Sequence, residues 1–298
     1  MDPAERLPKR PKNSDSSIAV APNSNEFWAA NEFATSGLPA NFGTWVGHFR
    51  VTEWTSVTGD WNGDRTDTIG LYDQATSTFL LRNTNSTGPA DYTFIYQNTG
   101  QEWVPVVGDW NGDGAVTVGV YDPATSYFYL ANANAAVPPA LAFSFGPAGQ
   151  GVTPIAGDWT HKLFDSVGVV DPTTNTFFLK NSNTSGSADI SFIYGPAGQA
   201  WHPGAGDWNG DGTDTVGLFD WTDSQYFLRN SNSAGDADIW FGFGTAREGW
   251  FALFGDWNGD LIITIGLFNP ATNTFYPRNS NSPGSADVAF SLWSILPN

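Results

Sequence analysis

Apolar and polar residues alternate in short runs along most of the chain, and turn-forming residues separate the runs. In one stretch, the runs WHPGAGD, TVGLFD, QYFLRN and ADIWFGFG begin at residues 201, 215, 225 and 237. The segments between them are rich in Asp, Asn, Ser and Gly, which favour turns. Aromatic residues within the runs favour sheet. The pattern therefore predicts four short β-strands in this stretch.

The same four-strand pattern recurs at a constant interval. Gly-Asp-Trp begins at residues 59, 108, 157, 206 and 255, so that each copy follows the last by 49 residues. An aromatic column keeps the same step: Phe79, Phe128, Phe177, Tyr226 and Phe275. Four strands in a repeat of this length are typical of one propeller blade. The sequence predicts an all-β fold, a β-propeller of four-stranded blades.

The blade number depends on both ends of the chain. SIAV (17–20) and EFWAAN (26–31) match the second and third strands of a repeat, and Trp45 falls in the column of Phe94, in the fourth strand. SLWSILPN (291–298) resembles a first strand. If it joins the three N-terminal strands, the ring closes without an exposed edge. We therefore expect six blades, from five complete repeats and a partial one, with five blades as the alternative.

The expected domain organisation is simple. Residues 1–13 are predicted to be a charged flexible tail, and residues 14–298 a single propeller domain. The start of the chain has no hydrophobic stretch of the kind found in signal peptides. No apolar run approaches the roughly 18 residues of a membrane helix, so we expect no membrane insertion.

The amino-acid composition limits the classes of partner that we expect the protein to bind. The net charge is −18, from 30 acidic and 12 basic residues, and such a body repels phosphate backbones. Nucleic acid is therefore not an expected partner, whereas cations and neutral ligands such as sugars are compatible. The absence of cysteine excludes disulfides and thiol chemistry.

The loop between the first two strands of a repeat carries candidate metal ligands. It reads DWNGDG from residues 109 and 207, and its first five residues recur from 60 and 256. Oxygen-bearing side chains at alternate positions, with glycines that let the chain curl, are typical of calcium loops. The loop is not an EF-hand, because its twelfth position is Leu71 or Leu218 rather than Glu. The alternative is an ion-free turn in which Asp and Asn bind local backbone amides.

Residues 59–298 resemble the FG-GAP/VCBS-type repeat of integrin alpha-subunit propellers, and still more its bacterial relatives with a GDW(N/D)GDG core. The resemblance implies that the first, third and fifth side chains of each loop bind calcium. These are Asp60, Asn62 and Asp64; Asp109, Asn111 and Asp113; Asp207, Asn209 and Asp211; Asp256, Asn258 and Asp260.

The ninth loop position departs from the family pattern. An Asp in the family is replaced here by Thr68, Thr117, Thr215 or Thr264, although Asp67 and Asp214 lie one residue earlier in two loops. We expect calcium in the loops at 60 and 207. The loops at 109 and 256 are left open between the ion-bound and the ion-free form. None is expected in the loop at Asp158, where Lys162 takes the fifth position.

Two further sets of residues are candidates for ligand contact. Trp54, Trp103, Trp201 and Trp250 form a column beside the turn into the first strand, and either core packing or a ligand platform explains them. The column of Trp61 is expected to pack in the core. His161 and Lys162 form a positive spot on an acidic body. They belong to a group of departures in repeat three and its neighbours, with Thr160, Val152 and Ala131. These departures indicate either that repeat three has lost the repeat sequence by neutral drift or that it contacts a partner.

No catalytic motif stands out. The three histidines do not recur, and HExxH, GxSxG and P-loop patterns are absent. No isolated acid pair leaves the repeat, so we do not expect an enzyme. The resemblance implies an extracellular, non-enzymatic binding or adhesion propeller for a glycan or protein ligand. The alternatives are a structural accessory or assembly domain without a small ligand, and a glycoside-processing enzyme. The sequence does not indicate an oligomeric state.

Overall fold

The computed structural model describes residues 17–20, 26–35, 41–50, 54–199 and 201–293. The chain divides into two compact units, Met1–Glu53 and Trp54–Asn298. In the first unit, β1 (Ser17–Val20), β2 (Glu26–Thr35) and β3 (Asn41–Arg50) form an antiparallel sheet in that order. The strands predicted at SIAV and EFWAAN are therefore present. The predicted tail of residues 1–13 lies outside the described residues.

The second unit consists of five four-stranded antiparallel blades, whose strands are called a to d from the centre outwards. Blade one has β4 (Trp54–Gly59), β5 (Thr68–Asp73), β6 (Thr78–Leu81) and β8 (Tyr92–Ile95), with the short β7 (Gly88–Pro89) in its c–d loop. Blade two has β9 (Val104–Gly108), β10 (Thr117–Asp122), β11 (Tyr127–Leu130) and β12 (Leu141–Ser144). Blade three has β13 (Thr153–Gly157), β14 (Ser166–Asp171), β15 (Thr176–Leu179) and β16 (Ile190–Ile193). Blade four has β17 (His202–Gly206), β18 (Thr215–Asp220), β19 (Gln225–Leu228) and β20 (Ile239–Gly242). Blade five has β21 (Phe251–Gly255), β22 (Thr264–Asn269), β23 (Thr274–Pro277) and β24 (Phe290–Trp293).

The five a strands close a ring. Each packs against the a strands of the two neighbouring blades, and β21 of blade five packs against β4 of blade one. The ring is complete within residues 54–293. The propeller fold and its four-stranded blades are confirmed, with no helix in the described part of the chain long and apolar enough to cross a membrane.

The favoured prediction of six blades is wrong, and the five-bladed alternative is correct. The described part of the segment that resembled a first strand, residues 291–293, belongs instead to the outer strand of blade five, and residues 294–298 lie outside the described residues. Phe290 pairs with Phe275 as Phe94 pairs with Phe79. Leu292 is fully buried and falls, at the repeat interval, in the column of Tyr96. The pattern of the outer strand thus continues through SLW. The three N-terminal strands belong to the other unit and complete no blade.

The same aromatic pair fills every blade. Phe79 is fully buried and stacks on Phe94 with ring centroids 5.8 Å apart. The equivalent pairs lie 5.5–5.8 Å apart: Phe128 with Phe143, Phe177 with Phe192, Tyr226 with Phe241, and Phe275 with Phe290. The Trp61 column is at most 7% exposed, which confirms that it packs in the core. These buried rings explain why the aromatic columns repeat.

Blades one and five are joined by an additional backbone contact. The outer strand β24 pairs in parallel with β7, so that Leu292 lies opposite Gly88. Leu292 also belongs to an apolar cluster with Ile69, Leu71 and Leu80 of blade one. The last described segment therefore ties the two ends of the ring together.

Candidate functional site

The first Asp of each a–b loop closes its own turn. Asp60 Oδ1 accepts hydrogen bonds from the backbone N–H of Gly63 (2.8 Å) and Asp64 (3.0 Å), and Oδ2 from that of Arg65 (2.6 Å). Gly63 has a φ of 75°, which favours glycine at this point of the turn. Asp109, Asp207 and Asp256 accept the same three bonds in their loops. The carboxylate thus closes the turn by binding three backbone amides.

The other candidate ligands of the loop are also engaged with each other. Asn62 donates from Nδ2 to Asp64 Oδ2 (3.0 Å), and the Thr68 hydroxyl donates to Gly59 O (3.3 Å). Equivalent contacts recur in the loops at 109, 207 and 256. Calcium takes six to eight oxygen ligands. In the described part of the chain, no three acidic, His or Cys side chains are arranged to hold a metal ion.

This donor set does not fit the calcium ion that the family resemblance implies. The ninth-position hydroxyl points to a carbonyl, and the amide of the third position turns its Nδ2 towards the fifth-position carboxylate. These contacts favour the ion-free alternative, and titration tests the calcium predicted in the loops at 60 and 207.

Ion titration separates the two forms of the loop. After chelation, we expect added calcium to change the melting temperature by less than about 1 °C, because the carboxylates are already satisfied by backbone amides. A rise of several degrees at millimolar calcium would show that the loops bind the ion. Asp64→Ala should abolish such a rise if it comes from the first loop.

Asp67 and Asp214 do not join the loops that the sequence assigned them to. Asp67 Oδ2 accepts the backbone N–H of Asp256 in blade five (2.7 Å), and Asp214 Oδ2 accepts that of Asp158 in blade three (2.8 Å). Each carboxylate therefore crosses to the preceding blade. A return bond runs from the backbone N–H of Asp67 to Asp256 O (2.7 Å). These residues tie blades together at the end of the a strands.

A third carboxylate of this kind was missed from the sequence. Asp165 Oδ2 accepts the backbone N–H of Asp109 (2.7 Å), and Asp165 stands at the repeat interval from Asp67 and Asp214. Val116 and Ile263 take the same column in blades two and five. The column of Asp67 and Asp214 contains the signal for Asp165, although the loop that precedes Asp165 lacks the DWNGDG sequence. We call Asp67, Asp165 and Asp214 the inner carboxylates.

The inner carboxylates border a central cavity of about 400 Å³ that the a strands enclose. The opposite part of its lining includes His202, which stacks on Phe251 with ring centroids 5.7 Å apart. Burial lowers the pKa of His202. The cavity therefore has carboxylates at one end and the His202 imidazole at the other.

Burial governs the protonation of the inner carboxylates. It raises the pKa of Asp67 to about 7 and that of Asp214 to about 6. Burial, and then the charge of Asp214, raise the pKa of Asp165 well above its ordinary value. The charges that act on all three come from other aspartates, and the donated backbone N–H bonds oppose the rise only in part.

The Trp54 column lies at the junctions between blades. Trp103 stacks on Tyr129 (5.0 Å), Trp201 on Phe227 (4.8 Å) and Trp250 on Tyr276 (5.1 Å), with ring planes within 15° of parallel. Trp103 is buried, whereas Trp54, Trp201 and Trp250 are half-buried. Core packing explains Trp103. The other three keep part of their surface open to solvent.

The positive spot predicted in blade three is engaged in local contacts. His161 Nδ1 hydrogen-bonds Gly212 O in the next loop (2.6 Å). The Lys162 ammonium donates to Asn181 O (3.1 Å) rather than to Asp158, whose carboxylate accepts the Lys162 backbone N–H (2.8 Å). His161 has a φ of 54° in the column that is otherwise glycine. The third loop thus keeps its shape without the DWNGDG sequence.

Comparison with known proteins gives no family. No protein-family model and no curated protein matches the chain. Among solved structures, the chain is similar to an Agrocybe aegerita lectin described for specific recognition of non-reducing terminal N-acetylglucosamine, at 12% identity and a TM-score of 0.43, covering 92% of this chain and 80% of the lectin. It is also similar to part of the Photorhabdus luminescens Tc holotoxin pore, at 13% identity and a TM-score of 0.39, covering 86% of this chain but only 13% of that one. The FG-GAP/VCBS-type resemblance stays a prediction.

Proposed function

We propose that the protein is a non-enzymatic binding propeller that takes neutral carbohydrate at the junctions between its blades. The observation that carries the proposal is the recurrence of half-buried Trp201 and Trp250, each held flat on a ring of strand c. A sugar ring offers C–H groups that pack on an aromatic surface. Because the ring beneath already fixes the indole, binding costs little side-chain entropy.

Repetition and charge support this choice. Equivalent tryptophans at several junctions present several weak sites, and a ligand that bridges two of them binds more tightly than either site alone. The net charge of −18 disfavours polyanionic ligands and leaves neutral glycans compatible. An extracellular, adhesive role and the FG-GAP/VCBS-type relationship belong to the same proposal.

Replacing the junction tryptophans by valine tests the proposal. Val152 occupies this column in blade three, so the fold accepts valine there. We expect Trp201→Val with Trp250→Val to weaken binding to a neutral glycan by about tenfold or more, measured by calorimetry on a ligand found with a glycan array. Trp221→Ala removes a partly exposed tryptophan outside the column and should leave affinity unchanged. Wild-type affinity in the double variant would contradict the proposal.

One observation favours the glycoside-processing alternative. Asp165 and Asp214 are neighbouring half-buried carboxylates with raised pKa values at a cavity, as an acid and its partner would be in hydrolysis. Both, however, accept a backbone N–H from the preceding blade. Release of reducing sugar from a polysaccharide panel, lost in Asp214→Asn, would establish the alternative.

A further inference from the structure

Blade four departs from the repeat at three adjacent positions of its outer two strands. Trp240 replaces the Thr, Ala, Ser and Ala of the other blades. Gln225 stands where blades one, three and five have Thr, and Gly242 where blades one and three have Ile. Changes in three columns of one blade indicate one local feature rather than scattered drift.

The three positions share one face of the sheet. Gln225 lies directly opposite Gly242, and Phe227 directly opposite Trp240, in the ladder between β19 and β20. Directly opposite residues of an antiparallel pair project from the same face. Trp201 stacks on Phe227 with ring centroids 4.8 Å apart and planes 6° from parallel. We call Trp201, Phe227 and Trp240 the aromatic row.

The outer end of the aromatic row is open. Trp240 is 68% exposed, although large apolar side chains are normally covered. Phe227 and Trp201 are half-buried, so the row runs from a fixed stack at the blade junction to a free indole at the edge. Such a gradient anchors the inner rings and leaves the outermost one available for contact.

An amide with unused hydrogen-bonding capacity borders the row. A Cβ at Gly242 would lie 2.7 Å from Gln225 Nε2, so the glycine makes the room in which the amide rests. Nε2 donates only a long bond to Asp223 O (3.4 Å), and Oε1, which is shielded from solvent in this rotamer, has no hydrogen-bond partner among the described residues. Unpaired amide oxygens also occur in the asparagine turns of the repeat, but the Gln225 amide lies next to the exposed ring of Trp240.

We propose that the aromatic row and Gln225 form the principal carbohydrate site, on blade four alone, for one or two neutral sugar rings. The inference rests on the proposed function and deepens it. Trp240 packs on the apolar face of a sugar ring, and the Gln225 amide turns to exchange hydrogen bonds with its hydroxyl groups. The other blades lack a tryptophan at the position of Trp240. In blade two, the stack of Trp103 and Tyr129 ends on the smaller Tyr127, which is 40% exposed, and these junctions act as weaker sites.

The charges around the aromatic row and the area of the row favour a small neutral sugar as its ligand. Asp236 and Asp238 lie on the same edge, and the Arg229 guanidinium is committed to the carbonyls of Ser233, Ala234 and Asp236. An anionic ligand is therefore repelled. A stable protein interface buries about 800 Å² on each side, whereas a tryptophan buries about 150–250 Å². The row suits a small ligand better than a protein surface.

Restoring the repeat sequence in blade four tests the site. Neutral tetrasaccharides of glucose, N-acetylglucosamine, mannose and galactose are titrated by calorimetry, with a heparin tetrasaccharide as the anionic probe. We expect Trp240→Thr, which copies blade one, to weaken binding of the preferred tetrasaccharide about tenfold at an unchanged melting temperature. Gln225→Thr with Gly242→Ile should also weaken it. Ala142→Thr, the same column in blade two, is the matched control and should bind normally.

The outcomes are distinct. Affinity within about twofold of wild type in Trp240→Thr, while Trp201→Val with Trp250→Val reduces binding, would overturn this inference and leave the proposed function standing. No binding of any tetrasaccharide by the wild type at about 1 mM would contradict both. Tighter binding of the heparin probe, or self-association of the wild type that Trp240→Thr abolishes in sedimentation, would overturn the choice of a neutral sugar.

Discussion

A chain that ends at residue 289 is expected to melt at a temperature lower by roughly 10 °C or more and to aggregate. The deletion removes β24, with Phe290 stacked on Phe275 at 5.8 Å and Leu292 fully buried against blade one. It also uncovers the edge of β23, a strand free to pair with another chain. Removing the outer strand of blade five therefore costs both core packing and protection from association.

Point variants separate the loss of core packing from the other effects of the truncation. Leu292→Ala should destabilise the fold by about 2–4 kcal/mol, because it leaves a cavity in the cluster with Ile69, Leu71 and Leu80. Val288→Ala, on the same segment but 40% exposed, should change stability by less than about 1 kcal/mol. Thermal and urea unfolding provide the measurements. If the truncated chain melts like the full chain and stays monomeric, the closure of blades one and five through β24 is wrong.

The repeat made the blade predictable, but not the number of blades. In repeat four, strand b was predicted at 215–220 and is observed there. It was predictable because a strand that is buried on both faces appears in the sequence as a short apolar run between turn residues. The final segment failed because SLW and WFALF are both short apolar runs, and an apolar run does not distinguish an inner from an outer strand. The columns of Phe290 and Leu292 contained the answer. Only the packing against blade one shows that those columns continue.

The candidate sites, like the fold, were predictable from the sequence only in part. Loop composition identified the a–b loops, and the structure shows how their first Asp closes each turn. The sequence could not predict that the Asp67 carboxylate binds a backbone N–H of blade five. This contact depends on which blade lies next to blade one in the closed ring. Departures from the columns predicted a candidate surface in repeat three. Trp240 and Gln225, on which the site proposed in blade four depends, are departures in other columns of the same repeat alignment.

The propeller is expected to lose stability as pH rises from about 5 to about 8, by a few kcal/mol in total. The pKa values of Asp67 and Asp214, at about 7 and about 6, lie above the ordinary 3.8, and that of Asp165 is also raised. The folded state therefore holds protons that the unfolded chain releases. A raised carboxyl pKa adds stability that is complete below the unfolded pKa and is lost as pH rises through the folded one.

Other groups around the inner carboxylates are acidic and strengthen this effect. The charges that raise the pKa of Asp67 are those of Asp256, Asp60 and Asp214. Asp109 and Asp158 act on Asp165, and Asp158, Asp207 and Asp211 act on Asp214. His202 has the opposite sign: its lowered pKa means that stability falls as pH drops below its ordinary value of about 6.5. Because three inner carboxylates act against one histidine, we expect their effect on stability to dominate. Variants separate the two contributions.

Asparagine variants identify the source of the pH dependence. Asn has nearly the shape of Asp, and its Oδ1 can accept the bond that the Asp256 backbone N–H now donates to Asp67. We expect Asp67→Asn to raise stability at pH near 8 and to flatten the slope between about pH 5 and 8, and the triple change with Asp165→Asn and Asp214→Asn to remove most of it. Asp236→Asn makes the same charge change on the exposed surface and should leave the slope almost unchanged. Urea unfolding at a series of pH values measures the slope. A wild-type protein that is most stable near pH 8, or a slope that survives the triple change, would show that the inner carboxylates are not the source of the pH dependence.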